Sequence, residues 1–221
     1  MNNELFKLSE DGKVLIKFIG GDDTTEVNIP EGVTKIGERA FRNRRSLTSI
    51  TLPKGVTEIG GFAFSVCHSL TSIDIPEGVA EIGEGAFAGC SSLESITLPK
   101  SVKVIGESAF EGCKSLKSID IPEGVKVIGE SAFHRCSSLT SINIPKSVTE
   151  IGVGAFDGCK SLKSIKIPEG VTEIGESAFY GCSSLESITL PKSVTELGEG
   201  AFDGCVNLTI TCSYKALQSR R

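Results

Sequence analysis

The stretch Leu139 to Cys159, LTSINIPKSVTEIGVGAFDGC, constrains this chain more than anything else in it, because nearly all the rest is a copy. Its skeleton, L-x-x-I-x-[IL]-P-x-x-V-x-x-[IL]-G-x-x-A-F-x-x-C, returns every 23 residues. All eight prolines, from Pro30 to Pro191, keep that period, and so do Phe41, Phe64, Phe87, Phe110, Phe133, Phe156, Phe179 and Phe202. Self-similarity at a period of about 20–50 residues marks a solenoid, in which each unit is too small to bury its own apolar face and stacks on its neighbours.

The periodicity predicts which residues point inward. In the unit beginning at Leu47 they are Leu47, Ile50, Leu52, Val56, Ile59, Ala63, Phe64 and Cys67. Ile50 and Leu52 are two apart and share one strand face, with Ser49 and Thr51 on the other. Pro53 has no donor for a ladder and ends the strand. Gly60 closes the V-x-x-I segment, and GFAFSVC is expected to curl into a single helical turn. The expected fold is a right-handed superhelix with a parallel β-sheet on one face and short helical turns on the other.

The ends depart from the repeat. LFKL and VLIKF flank Ser9-Glu10-Asp11-Gly12, which reads as a hairpin with an Asp-Gly turn. Such a hairpin would cap the open end of the stack. Thr24 to Ile29 matches the strand part of a repeat, so residues 1–29 read as a cap with a half repeat. Residues 30–207 then hold eight repeats, and residues 208–221 a capping strand, Thr209 to Cys212, and a frayed tail. The N-terminus lacks the basic-then-apolar layout of a signal peptide, and no apolar run is long enough to span a membrane.

Seven of the eight cysteines, Cys67 to Cys205, occupy one position per repeat. Side chains in such a column run parallel at the strand spacing of ~4.8 Å, wider than disulfide Cβ separations, and a straight row cannot form a tetrahedral zinc site. The column is expected to hold buried free thiols acting as small hydrophobes. Neither a metal nor another cofactor is expected.

Catalysis finds no support in the residue pattern. The two histidines, His68 and His134, lie in different columns, roughly 14 Å apart on a stacked rod, and cannot serve as base and orienter. Cys67 and His68 are adjacent and face opposite ways. The net charge of −5 gives no general attraction to nucleic acid.

Where the repeat is broken, side chains that could meet a partner come into view. Arg39, Arg42, Arg44 and Arg45 cluster in the first repeat, with Arg44 in the place of the inward cysteine. That basic end on an acidic chain could dock an acidic partner, or another copy in weak self-association. Val104 and Val127 replace glutamate in a column that contains Glu58, Glu81, Glu150, Glu173 and Glu196. Flanked by Lys103 and Lys126, they form a small apolar patch suited to a protein contact, or one merely tolerated at the surface. After each proline, glutamate and lysine alternate strictly from Glu31 to Lys192, so the underlying unit looks like 46 residues. Stacked repeats would make that alternation a ladder of opposite charges.

The pattern resembles the BspA-like family of leucine-rich repeat proteins from about Leu5 to Cys212, most specifically in IPEGVTEIGESAFYGCSSL, Ile167 to Leu185. The resemblance implies a non-enzymatic adhesion module that binds a protein or glycan, on the cell surface or secreted. The alternative is a structural scaffold or consensus-designed repeat protein without a ligand.

Overall fold

A computed structural model describes residues 5–212. Its strands fall into two parallel rows. The first runs through β3 (Glu26–Asn28), β5 (Ser49–Thr51), β7 (Ser72–Asp74), β9 (Ser95–Thr97), β11 (Ser118–Asp120), β13 (Ser141–Asn143), β15 (Ser164–Lys166), β17 (Ser187–Leu190) and β19 (Thr209–Cys212). The second holds β4 (Lys35–Ile36), β6 (Glu58–Ile59), β8 (Glu81–Ile82), β10 (Val104–Ile105), β12 (Val127–Ile128), β14 (Glu150–Ile151), β16 (Glu173–Ile174) and β18 (Glu196–Leu197). The hairpin β1 (Phe6–Leu8) and β2 (Val14–Phe18) joins the second row only, with Val14 opposite Lys35 and Leu15 opposite Ile36.

The alternation of each strand sorts its side chains. In β5, β7, β9 and β11 the central isoleucine is buried and both neighbours are exposed. Behind them, the columns of leucine, valine, alanine, phenylalanine and cysteine are sealed: Leu70, Val79, Ala86, Phe87 and Cys90 all have 0% exposure. The phenyl rings stack from Phe18 to Phe202 with centroids 5.2 to 5.5 Å apart. Full burial of one such ring contributes about 1.5–3 kcal/mol, and stacking adds to it. The column starts in the hairpin, since Phe18 stands 23 residues before Phe41.

The third side of each repeat corrects the expectation of a helical turn. Residues 60–70 form overlapping turns closed by Ala63 N to Gly60 O, Ser65 N to Phe62 O and Cys67 N to Phe64 O, at 3.1 to 3.2 Å. The alternate amides of Phe62, Phe64 and Val66 donate to Glu84, Ala86 and Ala88 of the next repeat. A helix would spend every amide within its own segment. Here half of them extend the stack. The geometry needs two left-handed residues per turn, such as Phe62 (φ 53°) and Val66 (φ 63°), which interrupts any run of right-handed residues.

Gly83 shows why glycine ends the second strand of each repeat: a Cβ there would sit 2.6 Å from Gly61 N and 2.7 Å from the Gly60 carbonyl carbon. Backbones of successive repeats meet at this point.

The 46-residue unit seen in the sequence is also a structural unit. In the first row hydrogen-bonded ladders join β3 with β5, β7 with β9, β11 with β13, and β15 with β17 and β19, with no ladder between these groups. The amide just before the strand shows the same rhythm: Thr48 to Thr25 O and Glu94 to Thr71 O span 2.8 and 2.9 Å, whereas Thr71 to Thr48 O and Lys117 to Glu94 O stretch to 3.4 Å. The second row is interrupted once, between β10 and β12. The tail from Ser213 to Arg221, including Tyr214, lies outside the described residues.

Candidate functional site

The cysteine column is sequestered. Each thiol from Cys67 to Cys205 donates to the carbonyl of a phenylalanine one repeat back, as Cys67 Sγ does to Phe41 O at 3.2 Å. All eight cysteines are free thiols, with Cys67 to Cys182 buried and Cys205 and Cys212 half-buried. Burial pushes the Cys67 and Cys159 thiols up to about 12, and raises Cys90, Cys113 and Cys136 as well. At neutral pH these are protonated core groups, unsuited to nucleophilic attack. Cys205 differs in exposure, being only half-buried.

The four arginines do not act as one patch. Arg39, Arg42 and Arg45 are exposed, and Arg39 lies over the Phe62 ring at 5.6 Å and beside Glu38 at 3.3 Å. Arg44 turns inward instead, its side chain 18% exposed. It donates to Phe18 O at 2.9 Å, Gly20 O at 3.1 Å and Asp22 Oδ1 at 2.7 Å, with its guanidinium 5.2 Å over the Phe18 ring. Five donors in a planar fork satisfy that many partners, as a thiol could not. Arg44 therefore holds the cap and leaves the set of partner-facing residues.

Val104 and Val127 are 47% and 39% exposed, on the two strands between which the second row is interrupted. Val153 is 45% exposed one repeat further on. Either side of the valines, glutamates stand in direct register, Glu58 opposite Glu81 and Glu150 opposite Glu173. Lys35 relieves the first of these by pairing with Glu58.

The expected charge ladder after the prolines is not formed. Among the described residues, no pair in the column from Glu31 to Lys192 comes within 4.0 Å; the ion pairs lie in other columns, such as Lys117 with Glu94 at 2.8 Å. These side chains sit on an exposed corner, where two solvated charges gain little by ordering. Another stack joins Glu111, His134 and Asp157, with His134 Nδ1 3.3 Å from Glu111 and Nε2 3.5 Å from Asp157. Both ring nitrogens face a carboxylate, and among the described residues no cluster of three or more ligand side chains is disposed to hold a metal ion.

A groove opens where the first row turns its proline corner. It spans about 690 Å³ and is lined by Asn143, Pro145, Lys146, Lys166, Pro168 and Thr189 among others. Nothing in the residue pattern singled it out.

Short parallel strands, an inward leucine column and one turn of chain per 23 residues define a leucine-rich repeat solenoid. The model of the BspA type leucine-rich repeat region matches residues 17–140 and 127–219, in 6 copies, and the chain belongs to that family. Among solved structures it is similar to a leucine-rich repeat protein of T. pallidum, at 32% identity over 95% of this chain and 90% of that one, with a TM-score of 0.68. A leucine-rich repeat protein of Bacteroides ovatus is 27% identical over 98% of this chain and 87% of that one, with a TM-score of 0.46. A leucine-rich cell surface protein of Faecalibacterium prausnitzii is 28% identical over 96% and 94%, with a TM-score of 0.38. No curated protein sequence matches the chain.

Proposed function

We propose that the chain is a non-enzymatic binding module of the adhesion type, acting at a cell surface on a protein or glycan. One observation carries the reading: the core columns are repeated almost without change, while the side chains that break the repeat, Arg39, Arg42, Arg45, Val104 and Val127, are exposed. Packing fixes the core columns and leaves exposed positions free, so these departures are the side chains that distinguish one part of the surface from another. Membership of the BspA type family supports the same reading. No helix among the described residues is long and apolar enough to cross a membrane.

The reading is tested by presenting the immobilised chain to purified extracellular-matrix proteins and to a glycan array. Saturable binding that falls when Arg39, Arg42 and Arg45 become serine, or when Val104 and Val127 become glutamate, supports it. A chain that binds nothing across both panels favours the alternative, a scaffold without a ligand, for which the regular 46-residue unit speaks.

A further inference from the structure

The groove at the proline corner coincides with the most open junction in the first strand row. Between β13 and β15 there is no strand ladder. The preceding amide bond, stretched to 3.4 Å at the two earlier junctions, is absent altogether here: Lys163 N makes no bond to Thr140 O. Ile142, at the centre of β13, is the one residue of its column between Val27 and Ile188 that is not buried. The cavity of about 690 Å³ runs along the ends of β13, β15 and β17, lined in turn by Asn143 and Pro145, Lys166 and Pro168, and Thr189 and Pro191. The cavity is of ligand-binding size and lies at the C-terminal ends of strands of which β13 and β15 are joined by no ladder.

The chemistry of the walls selects the occupant. The floor is apolar, built from Pro145 and Pro168. Lys166 is the one cation in a column that otherwise reads Asn28, Thr51, Asp74, Thr97, Asp120, Asn143 and Thr189. Neither Lys166 nor Lys146 lies within 4.0 Å of a carboxylate among the described residues. Glu123 and Glu169 stand on the rim, so a polyanion would meet repulsion as well as attraction. No aromatic ring lines the groove, which leaves a sugar without a stacking surface.

We propose that the corner groove between β13 and β15 is a binding site for an extended peptide segment, taking an apolar side chain against Pro145 and Pro168 and a neighbouring carboxylate at Lys166 and Lys146. This rests on the reading of the chain as a binding module and gives that module a site. Lys166 sets the specificity by charge, and the proline floor supplies contact area.

The test is fluorescence anisotropy with a labelled octapeptide that carries one valine-aspartate pair at the centre of an otherwise uncharged sequence, and a second that carries valine-lysine there. The acidic probe is expected to bind saturably and the basic one not. Lys166→Glu should weaken the acidic probe at least ten-fold. Lys54→Glu, at the equivalent place to Lys146 but four repeats away, should change its affinity less than two-fold. All the substituted side chains are exposed, so folding is preserved. Binding insensitive to Lys166→Glu would overturn this site and leave the binding-module reading standing. Absence of saturable binding by the acidic probe would overturn it equally. Loss of the wider reading requires the separate failure of both the protein and the glycan panels.

Discussion

Arg44 Nη2 donates to the carbonyl of Phe18 at 2.9 Å, across the same 26-residue step by which Cys67 Sγ donates to Phe41 O. The guanidinium takes the place of the first thiol in the column and adds bonds to Gly20 O and Asp22. The cap is thereby fastened by the same backbone carbonyl that every later repeat uses.

Arg44→Ala should loosen the hairpin before the rest of the rod. Two partly buried carbonyls would lose their charged donor, at a cost of about 1–3 kcal/mol. Hydrogen exchange at the amides of Phe18 and Ile19, which bond Ala40 O and Leu5 O at 2.9 and 2.8 Å, should accelerate most. Arg44→Cys would restore one of the lost bonds and should cost less. Unchanged exchange at these two amides in Arg44→Ala would show that the hairpin is held by its apolar contacts alone.

The turn columns predict a pair of opposite effects. Val66 adopts φ 63° where Gly89, Gly112, Gly158, Gly181 and Gly204 adopt 65° to 78°. A β-branched residue is strained there by roughly 1–2 kcal/mol, so Val66→Gly should raise the melting temperature. Gly112→Ala should lower it by a similar free energy, although its Cβ would meet nothing nearer than 3.7 Å. Backbone conformation alone then decides the sign. A rise for Gly112→Ala would refute the argument.

The inward residues were legible in the sequence because a solenoid repeats each burial decision once per turn. Leu70, Phe64 and Cys67 are sealed as the pattern demands. The turn is not legible in the same way, because A-F-x-x-C spacing fits one helical turn as well as it fits alternate turns. What distinguishes them, the left-handed residues at Phe62 and Val66, is carried by glycine in only some repeats. Phe18 was within reach, since it stands one period before Phe41, but the hairpin pattern around it masked the period. The alternation of glutamate and lysine gave the right unit for the wrong reason. It marks the doublets of the strand ladder without forming the ion pairs. The groove beside Lys166 was invisible, because an opening between strands depends on small differences in repeat spacing that no single residue encodes.

Accessibility along the thiol column should be polarised. Brief treatment of the native protein with iodoacetamide at neutral pH is expected to label Cys205 and Cys212 and to spare Cys67 to Cys182, which are buried. Peptide mapping after alkylation reads this directly. Uniform labelling of all seven column cysteines, or their recovery as disulfides, would contradict a closed column.

The same column makes the fold sensitive to alkali. In the unfolded chain a cysteine thiol ionises near 9, whereas Cys67 and Cys159 stay protonated to about 12 in the folded chain because burial disfavours the thiolate. The native state therefore holds more protons than the unfolded state between these values, and stability falls as pH rises through that window. Below pH 9 both states are protonated and the contribution is complete. Each such thiol adds at most about 1.4 kcal/mol per pH unit to the slope, and Cys90, Cys113 and Cys136 are raised for the same reason. Melting temperature should accordingly be flat from pH 7 to 8.5 and drop steeply by pH 10.5. Cys113→Ala removes one titrating group and the thiol bond to Phe87 O, which keeps the Cys90 amide as donor. That variant should melt lower than the parent at pH 7 but lose less on going to pH 10.5. Parallel pH profiles for the two proteins would show that the thiols do not govern the alkaline transition.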